Sequence, residues 1–372
     1  MQRRSYLVVR RDNIGDLVLT TPLIRALRRH QPDAWIGALV NTYNAPVLKG
    51  LPDLDAVFAY DKAKHQPGQS RLAVYRATLR LLLSLRGMRI DTVILAGPGA
   101  QRQAYGMARW LKAGALLGFV TPGFAPAGIT LPVPYGNGAA LHEAEDVFRL
   151  LAPLGIDITG AIPACSVQAD AARIEPLRAQ VRARLAAAAA GSAAAATAQG
   201  EHHAGSSAAA RAPLIGVQIS ARRIRQRWPV ARFAALMQQL HAVHGAGFML
   251  FWSPGTADDV RHPGDDARAR ALLDALPEGF PVFPCASADL GGLIAGLSLV
   301  DGVITPDGGA MHLAAALGKP VVALFGDSPA ARWRPWGVAH EVVQAAAGDV
   351  ANLPVSEVAS AWERLAPTVL PK

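Results

Sequence analysis

The sequence contains little cysteine, few aromatic residues and no long apolar run. Its two cysteines, Cys165 and Cys285, have no second Cys or His at metal-ligand spacing, which excludes a disulfide framework and a zinc site. We expect two buried thiols in a reducing compartment. No apolar run approaches the roughly 20 residues that span a bilayer. The apolar stretch at residues 6–9 is too short for a signal-peptide core, so a cytoplasmic protein is expected.

Motifs of several common protein classes are also missing. No Gly-x-Gly-x-x-Gly, Walker or Gly-x-Ser-x-Gly pattern stands between a predicted strand and a helix, which disfavours dehydrogenases, kinases and serine hydrolases. Basic residues do not alternate with aromatic ones as they do in RNA-binding sheets. Nucleic acid is therefore not an expected partner.

Apolar residues are abundant, at 51 % against 17 % charged ones, and 372 residues suffice for two domains, each with its own core. The formal charge is +9, and arginine supplies most of the excess. This balance favours anionic partners such as phosphorylated substrates or an anionic membrane surface. Arginine codon preference in a GC-rich genome would give the same composition without any partner.

Short apolar strands alternate with amphipathic helices in the first half. The pattern predicts strands at residues 6–10, 35–40, 56–60 and 91–96, and helices at 16–30, 71–86, 102–112 and 141–151. The apolar side of the 71–86 helix carries Leu72, Tyr75, Leu79, Leu82 and Leu83. The Pro- and Gly-rich residues 121–138 are predicted to form an irregular loop.

The alternation restarts in the second half. It predicts strands at residues 214–219, 248–252, 281–283, 302–305 and, as the last strand, 321–325, with helices at 230–244, 267–276, 290–297, 309–317 and 356–365. Between the halves, residues 184–211 consist mostly of Ala, Gly, Ser and His. This is typical of a low-complexity linker or surface insertion, although a helix from Ile174 can extend into its first part.

Two strand–helix arrays of similar size predict an α/β fold of two Rossmann-like parallel-sheet domains that face each other across a cleft. The predicted divisions are an N-terminal Rossmann-like domain, a helix with the Ala-rich linker, a C-terminal Rossmann-like domain and a terminal helix, at residues 1–165, 166–212, 213–350 and 351–372. Ligands of such sheets bind where strands end and helices begin, so motifs at those points are the candidates for chemistry.

The strongest such motif follows the strand predicted to end at Thr305. Gly308 and Gly309 permit a tight turn, and the helix that begins there directs its N–H groups and positive dipole end at a ligand. His312 can donate to a phosphate, and Asp307 can accept from sugar hydroxyls. The alternative is structural, with Asp307 as an N-cap and His312 as a packed residue. The motif predicts a diphosphate site without the lysine of a P-loop.

A second motif, Arg10-Arg-Asp-Asn-Ile-Gly-Asp, also leads from a strand into a helix through a glycine, Gly15. Its last residue, Asp16, places a carboxylate that can take the proton from an acceptor hydroxyl. Asn13 and Gly15 are candidates for the acceptor side of the site. The alternative is that Asp16 only caps the helix.

A basic segment, Ser220-Ala-Arg-Arg-Ile-Arg-Gln-Arg-Trp-Pro, follows the first strand of the second half. Four arginines at a strand end are suited to phosphate, because guanidinium presents a planar fork of donors. Ser220, Arg225 and Arg227 are therefore candidates for donor binding. The alternative is a solvated basic loop.

Three further patterns are weak. Asp53-Leu-Asp55 matches a metal-binding Asp-x-Asp pattern but directly precedes a strand and lacks other ligands. His241 and His244 share a helix face without a third ligand, and Glu201-His202-His203 lies in the low-complexity segment. We therefore predict no metal and no cofactor.

Together these motifs resemble glycosyltransferase family 9, the heptosyltransferases of lipopolysaccharide core synthesis. The resemblance is clearest at Ile14-Gly-Asp-Leu-Val-Leu-Thr-Thr-Pro and at Asp307-Gly-Gly-Ala-Met-His, with Phe325-Gly326. It implies a GT-B fold, metal-independent inverting transfer and an ADP-heptose donor. It also implies that residues 1–165 form the acceptor-side domain and residues 213–350 the nucleotide-sugar-binding domain. A lipid-linked phosphorylated saccharide is then the expected acceptor, held by the basic surface at the inner membrane, where the protein would be peripheral.

The resemblance also implies roles for particular residues. Asp16 matches the family's proposed general base, and Asp307 matches an acidic residue that holds the donor sugar. Gly308, Gly309 and His312 match the turn and helix start that hold the diphosphate.

Asp258 resembles the acidic residue placed for the ribose hydroxyls. Two positions depart from the family: Gln226 stands where members often carry Lys, and Gly308 replaces a common Thr or Ser that would donate to phosphate. Two alternatives stay open, the first of them because of these departures. One is a non-catalytic nucleotide-sugar-binding or assembly protein on the same scaffold, and the other is a GT-B nucleotide-sugar epimerase.

Overall fold

The computed structural model describes residues 3–61, 70–98, 101–123, 125–136, 141–198, 212–259 and 263–369. The chain divides into two compact units, Met1–Gln168 (unit 1) and Ala169–Lys372 (unit 2). Each unit contains one sheet of six parallel strands together with helices. The predicted α/β class with two parallel sheets is therefore confirmed.

The strands of unit 1 are short and mostly apolar, because a parallel sheet has little contact with water. They are β1 (Ser5–Val9), β2 (Trp35–Asn41), β3 (Ala56–Tyr60), β4 (Thr92–Leu95), β5 (Ala115–Val120) and β6 (Leu131–Pro134). Their order in the sheet is β3-β2-β1-β4-β5-β6, with every pair parallel. The helices are α1 (Ile14–Val18), α2 (Thr21–His30), α3 (Arg71–Gly87), α4 (Arg102–Leu111) and α5 (Glu143–Phe148).

Two predictions in unit 1 are wrong. The single helix predicted at residues 16–30 is two helices, because Pro22 in the first turn of α2 cannot donate the hydrogen bond that would continue α1. The loop predicted at 121–138 contains β6. Its two prolines concealed the strand, since proline is tolerated at the edge of a sheet and β6 is an edge strand.

Unit 2 repeats the strand order of unit 1. Its strands are β7 (Leu214–Gln218), β8 (Gly247–Trp252), β9 (Val282–Ala286), β10 (Gly302–Pro306), β11 (Val321–Phe325) and β12 (His340–Gln344), in the order β12-β11-β10-β7-β8-β9. The helices are α6 (Ala171–Ala198), α7 (Val230–His244), α8 (Asp266–Asp274), α9 (Leu290–Leu299), α10 (Gly309–Ala316), α11 (Ala330–Trp333) and α12 (Val355–Leu365).

One strand of unit 2 differs from expectation, and one helix realises the extension that the sequence allowed. The prediction that residues 321–325 form the last strand is wrong, because β12 follows; three of its five residues are polar, so it lacks an apolar run. The first part of the Ala-rich segment is helical, since α6 extends to Ala198 and alanine has the highest helix propensity. Glu201, His202 and His203 lie outside the described residues.

Each unit has its own apolar core. Cys165 and Cys285 are free and buried, as predicted, and burial raises the pKa of their thiols to about 12 and about 11. Both thiols are therefore protonated and act as small apolar groups. Within the described part of the chain, no helix combines the length and apolarity needed to cross a bilayer.

Candidate functional site

Both sheets reverse their strand order at one point, between β1 and β4 in unit 1 and between β7 and β10 in unit 2. Open α/β sheets bind ligands outside the carboxyl ends of their strands at this point. The residues that follow these four strands are therefore the candidates for chemistry in each unit.

A fully buried arginine follows β1. Nη2 of Arg10 donates to Asp16 Oδ1 at 3.0 Å and to Glu143 Oε1 at 2.8 Å, and Nε lies 3.0 Å from Asp12 Oδ2. Nη1 donates to the carbonyl oxygen of Ala96, which follows β4. Burial acts to lower the pKa of Arg10, but the charges of Asp16, Glu143 and Asp12 outweigh it and raise the pKa. We name these four charged residues the Arg10 cluster.

Asp16, the candidate base, is held through both of its oxygens. Oδ1 accepts from Arg10, while Oδ2 accepts from the backbone N–H of Asn13 at 2.9 Å and from its Nδ2 at 3.0 Å. The contact with the backbone caps α1, so the structural role weighed for Asp16 is present. Three hydrogen bonds occupy three of the about four acceptor directions of a carboxylate. The side chain keeps 11 % of its exposure, so the fourth direction can serve a substrate.

Neighbouring polar groups fix the loop that carries Asp16. Both oxygens of Asp12 accept from Gln101, at 2.8 and 2.9 Å, and the amides of Asn41 and Asn44 donate to the Asp12 carbonyl. Gly15 is buried in α1. The loop is thus tied to the ends of β2 and β4, and Glu143 ties it to α5.

In unit 2, Asp307 follows β10 and connects three loops. Its Oδ2 accepts from Gln226 Nε2 at 2.9 Å and from Ser328 Oγ at 2.5 Å. Gln226 lies in the loop after β7 and Ser328 in the loop after β11. Gly308 is the N-cap residue of α10, so the capping role weighed for Asp307 is absent.

Because the pKa of Asp307 is raised in the folded protein, we expect the stability of the fold to depend on pH. Burial raises its pKa above the ordinary 3.8, and the Ser328 hydrogen bond and the charge of Arg223 only partly offset this. The folded protein therefore binds this proton more tightly than the unfolded chain, and stability is lost as pH rises through the raised pKa. We expect Asp307→Asn to be more stable than wild type near neutral pH, by a margin that shrinks toward about pH 4.

Melting temperatures across this pH range measure the margin. Asp274→Asn, on the exposed side of α8, is the matched control and should show none. Parallel pH profiles for wild type and Asp307→Asn would contradict the raised pKa.

Gly308 does not make the tight turn predicted for it. Its backbone is extended, at φ 163° and ψ −173°, a conformation open to any residue. A Cβ atom placed there meets nothing within 4 Å, so open space lies before α10. Gly309 begins α10, and the buried His312 lies in its first turn. This turn presents backbone N–H groups of the kind that bind anions.

The two candidate arginines of the basic segment differ in position. Arg227 Nε donates to the carbonyl of Ala221 at 2.9 Å, and its Nη1 lies 3.5 Å from the buried Asp265 carboxylate. Arg225 is exposed. Arg227 therefore holds the loop in place, while the guanidinium of Arg225 faces solvent.

Ser220 and Asp258 lie in the loops after β7 and β8. Ser220 Oγ accepts from the backbone N–H of Ser253 at 2.9 Å and so ties the two loops together. Asp258 is exposed in the second loop. The structure thus brings Ser220, Arg225, Asp258 and the Asp307–His312 motif to one edge of the unit 2 sheet.

The weak metal patterns have other partners. Asp55 accepts from Arg28 at 2.6 Å and from the backbone of Ile36 at 2.7 Å; burial alone would raise the pKa of Asp55, but these contacts lower it. His241 contacts a backbone carbonyl, and His244 contacts a glutamate. Across the described residues, no group of three or more His, Cys, Asp or Glu side chains is placed to hold a metal ion.

Three residues of these arrangements were not found from the sequence: Arg10, Glu143 and Ser328. The available signal for Arg10 was a charged residue directly after a buried strand. Glu143 lies 133 residues from Arg10, and Ser328 lies 21 residues from Asp307, so no local pattern connects the pairs.

The chain is similar to known glycosyltransferases in sequence and in fold. The profile of glycosyltransferase family 9 (heptosyltransferase) matches residues 170–359. Lipopolysaccharide heptosyltransferase 3 of Escherichia coli is 25 % identical over 354 residues, which cover 92 % of this chain and 89 % of that protein. The glycosyl transferase family 9 structure from Veillonella parvula DSM 2008 has a TM-score of 0.74 at 19 % identity, covering 98 % of this chain and 97 % of that one. E. coli heptosyltransferase WaaC with ADP has a TM-score of 0.70 at 16 % identity, with coverage of 96 % and 99 %.

Proposed function

The chain belongs to glycosyltransferase family 9, the heptosyltransferase family, and on that premise we propose that this glycosyltransferase moves a heptose from ADP-heptose to a lipopolysaccharide core-type acceptor. The observation that carries the proposal is the carboxylate of Asp16, which is fixed by Arg10 and Asn13 at the sheet's switch point yet remains partly exposed. The heptose and the acceptor are supported by the similarity to lipopolysaccharide heptosyltransferase 3, and the adenine nucleotide by the ADP in the WaaC structure.

The proposed chemistry is a single displacement with inversion. Asp16 takes the proton of an acceptor hydroxyl, and the hydroxyl oxygen forms a bond to the anomeric carbon of the donor. The bond from that carbon to the diphosphate breaks on the opposite side, and ADP leaves with the electron pair. Arg10 and Asn13 keep the carboxylate in one orientation for this transfer.

Unit 2 would bind the donor without a metal ion. Asp307 accepts from sugar hydroxyls, and Asp258 accepts from the ribose. The first turn of α10, with His312, and the exposed Arg225 stabilise the charge that develops on the diphosphate. The N–H donors of α10 and His312 and the positive charge of Arg225 take the place that a divalent cation has in metal-dependent transferases.

A coupled measurement tests the proposal. ADP-heptose is incubated with and without a lipopolysaccharide core acceptor, and both ADP release and the mass of the acceptor are followed. Acceptor-dependent ADP release with a heptose mass increase is expected, and it should persist in EDTA. ADP release without acceptor indicates an epimerase or hydrolase, and binding of ADP without any turnover indicates a binding protein. Thermal shifts should favour ADP over GDP and UDP.

The open space at Gly308 gives a prediction on donor affinity. Serine fits there without a clash and adds a hydroxyl donor before α10. A hydrogen bond to a charged group contributes about 1.5–3 kcal/mol, so we expect Gly308→Ser to lower the Kd for ADP by at least about tenfold. Calorimetry measures the change. Gly160→Ser in unit 1, which is equally free of clashes, is the control; an unchanged Kd in Gly308→Ser would argue against a phosphate at this point.

We also propose that the acceptor is a lipid-linked, phosphorylated saccharide and that the protein works at an anionic membrane surface. The formal charge of +9 supports both.

A further inference from the structure

Helix α3 exposes an apolar side. Five of the nine large hydrophobic side chains that are exposed within the described residues lie between positions 72 and 88, and each is 44–65 % exposed. They are Leu72, Tyr75, Leu79, Leu83 and Met88. The first four lie three or four residues apart and form one stripe along α3.

A second side of α3 packs on unit 1. Val74 and Leu85 are buried, and Leu81 and Leu82 are half-buried. Of the five residues predicted on the apolar side of this helix, only Leu82 contributes to this packing. The exposed stripe therefore takes no part in this packing and leaves a contiguous apolar surface in contact with water.

Positive charge borders the stripe. Residues 71–112 contain eight Arg or Lys residues and one acidic residue, Asp91, whereas the whole chain has 37 and 28. Arg76 and Arg80 are exposed on α3, next to Leu79 and Leu83. Helix α4 packs beside α3, where Arg86 Nη1 donates to the Trp110 carbonyl, and it adds further exposed arginines.

We propose that Leu72, Tyr75, Leu79 and Leu83, with Arg76 and Arg80, form a face that docks on an anionic lipid bilayer (the α3 face). The apolar side chains enter the boundary between head groups and acyl chains, and the arginines bind lipid phosphates. A second copy of the chain docked through the same face would place its arginines against those of the first copy, so the like charges would repel. A nucleic acid would bind the arginines but would leave the apolar stripe exposed to water. The inference rests on the proposed function in one respect, since docking would bring the enzyme to its lipid-linked acceptor. Docking itself is measured without donor or acceptor.

Vesicle sedimentation of the full chain tests the proposal. We expect binding to vesicles of phosphatidylcholine and phosphatidylglycerol in equal parts, weaker binding to phosphatidylcholine alone, and loss at about 1 M salt, where the Debye length is about 3 Å. One basic residue near an anionic surface contributes about 1 kcal/mol, a factor of about five, so Arg76→Gln/Arg80→Gln should bind roughly 25-fold more weakly. Leu79→Gln/Leu83→Gln should also bind at least about tenfold more weakly.

Matched variants distinguish docking through the α3 face from effects of the overall charge and of misfolding. Arg182→Gln/Arg270→Gln on α6 and α8 removes the same charge, and Val243→Gln removes an apolar side chain that is 61 % exposed on α7; both should bind like wild type. Circular dichroism and turnover of a water-soluble acceptor should be unchanged in the α3 variants. The proposal would be overturned if the control variants lost as much vesicle binding as the α3 variants, or if the α3 variants bound vesicles as well as wild type. It would also be overturned if the α3 substitutions changed only the self-association of the protein. Vesicle binding without transferase activity would leave docking standing and remove the proposed function alone.

Discussion

Asp16→Asn is expected to lower turnover by about 100- to 10,000-fold, the range that general-base help contributes. The amide has the size of the carboxylate and can still accept from the Asn13 N–H, but it cannot take a proton from the acceptor. In the proposed mechanism the donor is bound by residues of unit 2 and not by Asp16, so the Kd for ADP should stay unchanged. ADP release at saturating substrates gives kcat, and calorimetry gives the Kd.

The control for this result is Asp33→Asn, which removes an exposed carboxylate from the same unit and should leave kcat unchanged. A melting curve of Asp16→Asn checks that the capped start of α1 survives the substitution. If a folded Asp16→Asn keeps nearly full turnover, the carboxylate serves only as a cap and another group must accept the proton.

Arg10→Met is expected to destabilise unit 1 by about 3–5 kcal/mol, the cost of breaking a buried ion pair from one side. Methionine fills the space but leaves Glu143, which is 1 % exposed, and Asp16 without the cation between them. Because a two-unit chain need not unfold in one step, hydrogen exchange of the β1 amides is the suitable measurement. Protection of these amides should fall far more than protection of β7 in unit 2.

A second substitution separates charge from packing. Adding Glu143→Gln to Arg10→Met removes one of the stranded charges, so the double variant should recover part of the lost stability, with a coupling of about 0.5–3 kcal/mol. Arg178→Met is the control for an exposed pair, because Arg178 on α6 also pairs with a carboxylate, Glu175, but the two side chains are 41 % and 68 % exposed. Such a pair is worth about 0–1 kcal/mol. If Arg178→Met lowered the protection of the β7 amides as much as Arg10→Met lowers that of the β1 amides, the buried Arg10 cluster would stabilise the fold no more than a surface ion pair.

Periodicity was enough to predict most elements that lie inside the sheets. β1 and β10 are apolar runs that end at a Gly-containing motif, and β7 is an apolar run that ends at the basic segment. Such runs have few other interpretations in a chain that alternates strands and helices. The same logic led to Asp16 and Asp307, since each follows a predicted strand at the start of a helix, where ligands of parallel sheets bind. One interior strand, β5, was not predicted, and the other missed strands, β6 and β12, lie at sheet edges. β6 carries prolines and β12 is mostly polar, because an edge strand is under weaker pressure to be apolar and to donate hydrogen bonds.

Two kinds of information were beyond a local reading of the sequence. Contacts between distant residues were one kind, as in the pairing of Arg10 with Glu143 and of Asp307 with Gln226. Gln226 was noted as a departure from lysine, but only the folded chain shows that its amide donates to Asp307. The other kind was the choice between two apolar sides of one helix. Spacing grouped Leu79 with Leu82, whereas the position of α3 on unit 1 half-buries Leu82 and exposes Leu79.

The prolines of the outer strands bear on how the protein behaves at high concentration. β6 and β9 each end one side of a sheet, and Pro132, Pro134 and Pro284 deprive them of backbone N–H groups. An outermost strand with a full row of donors is a template on which further chains can add one after another. Proline removes donors from the outermost strand on one side of both sheets, so strand-by-strand growth into aggregates is less favourable there.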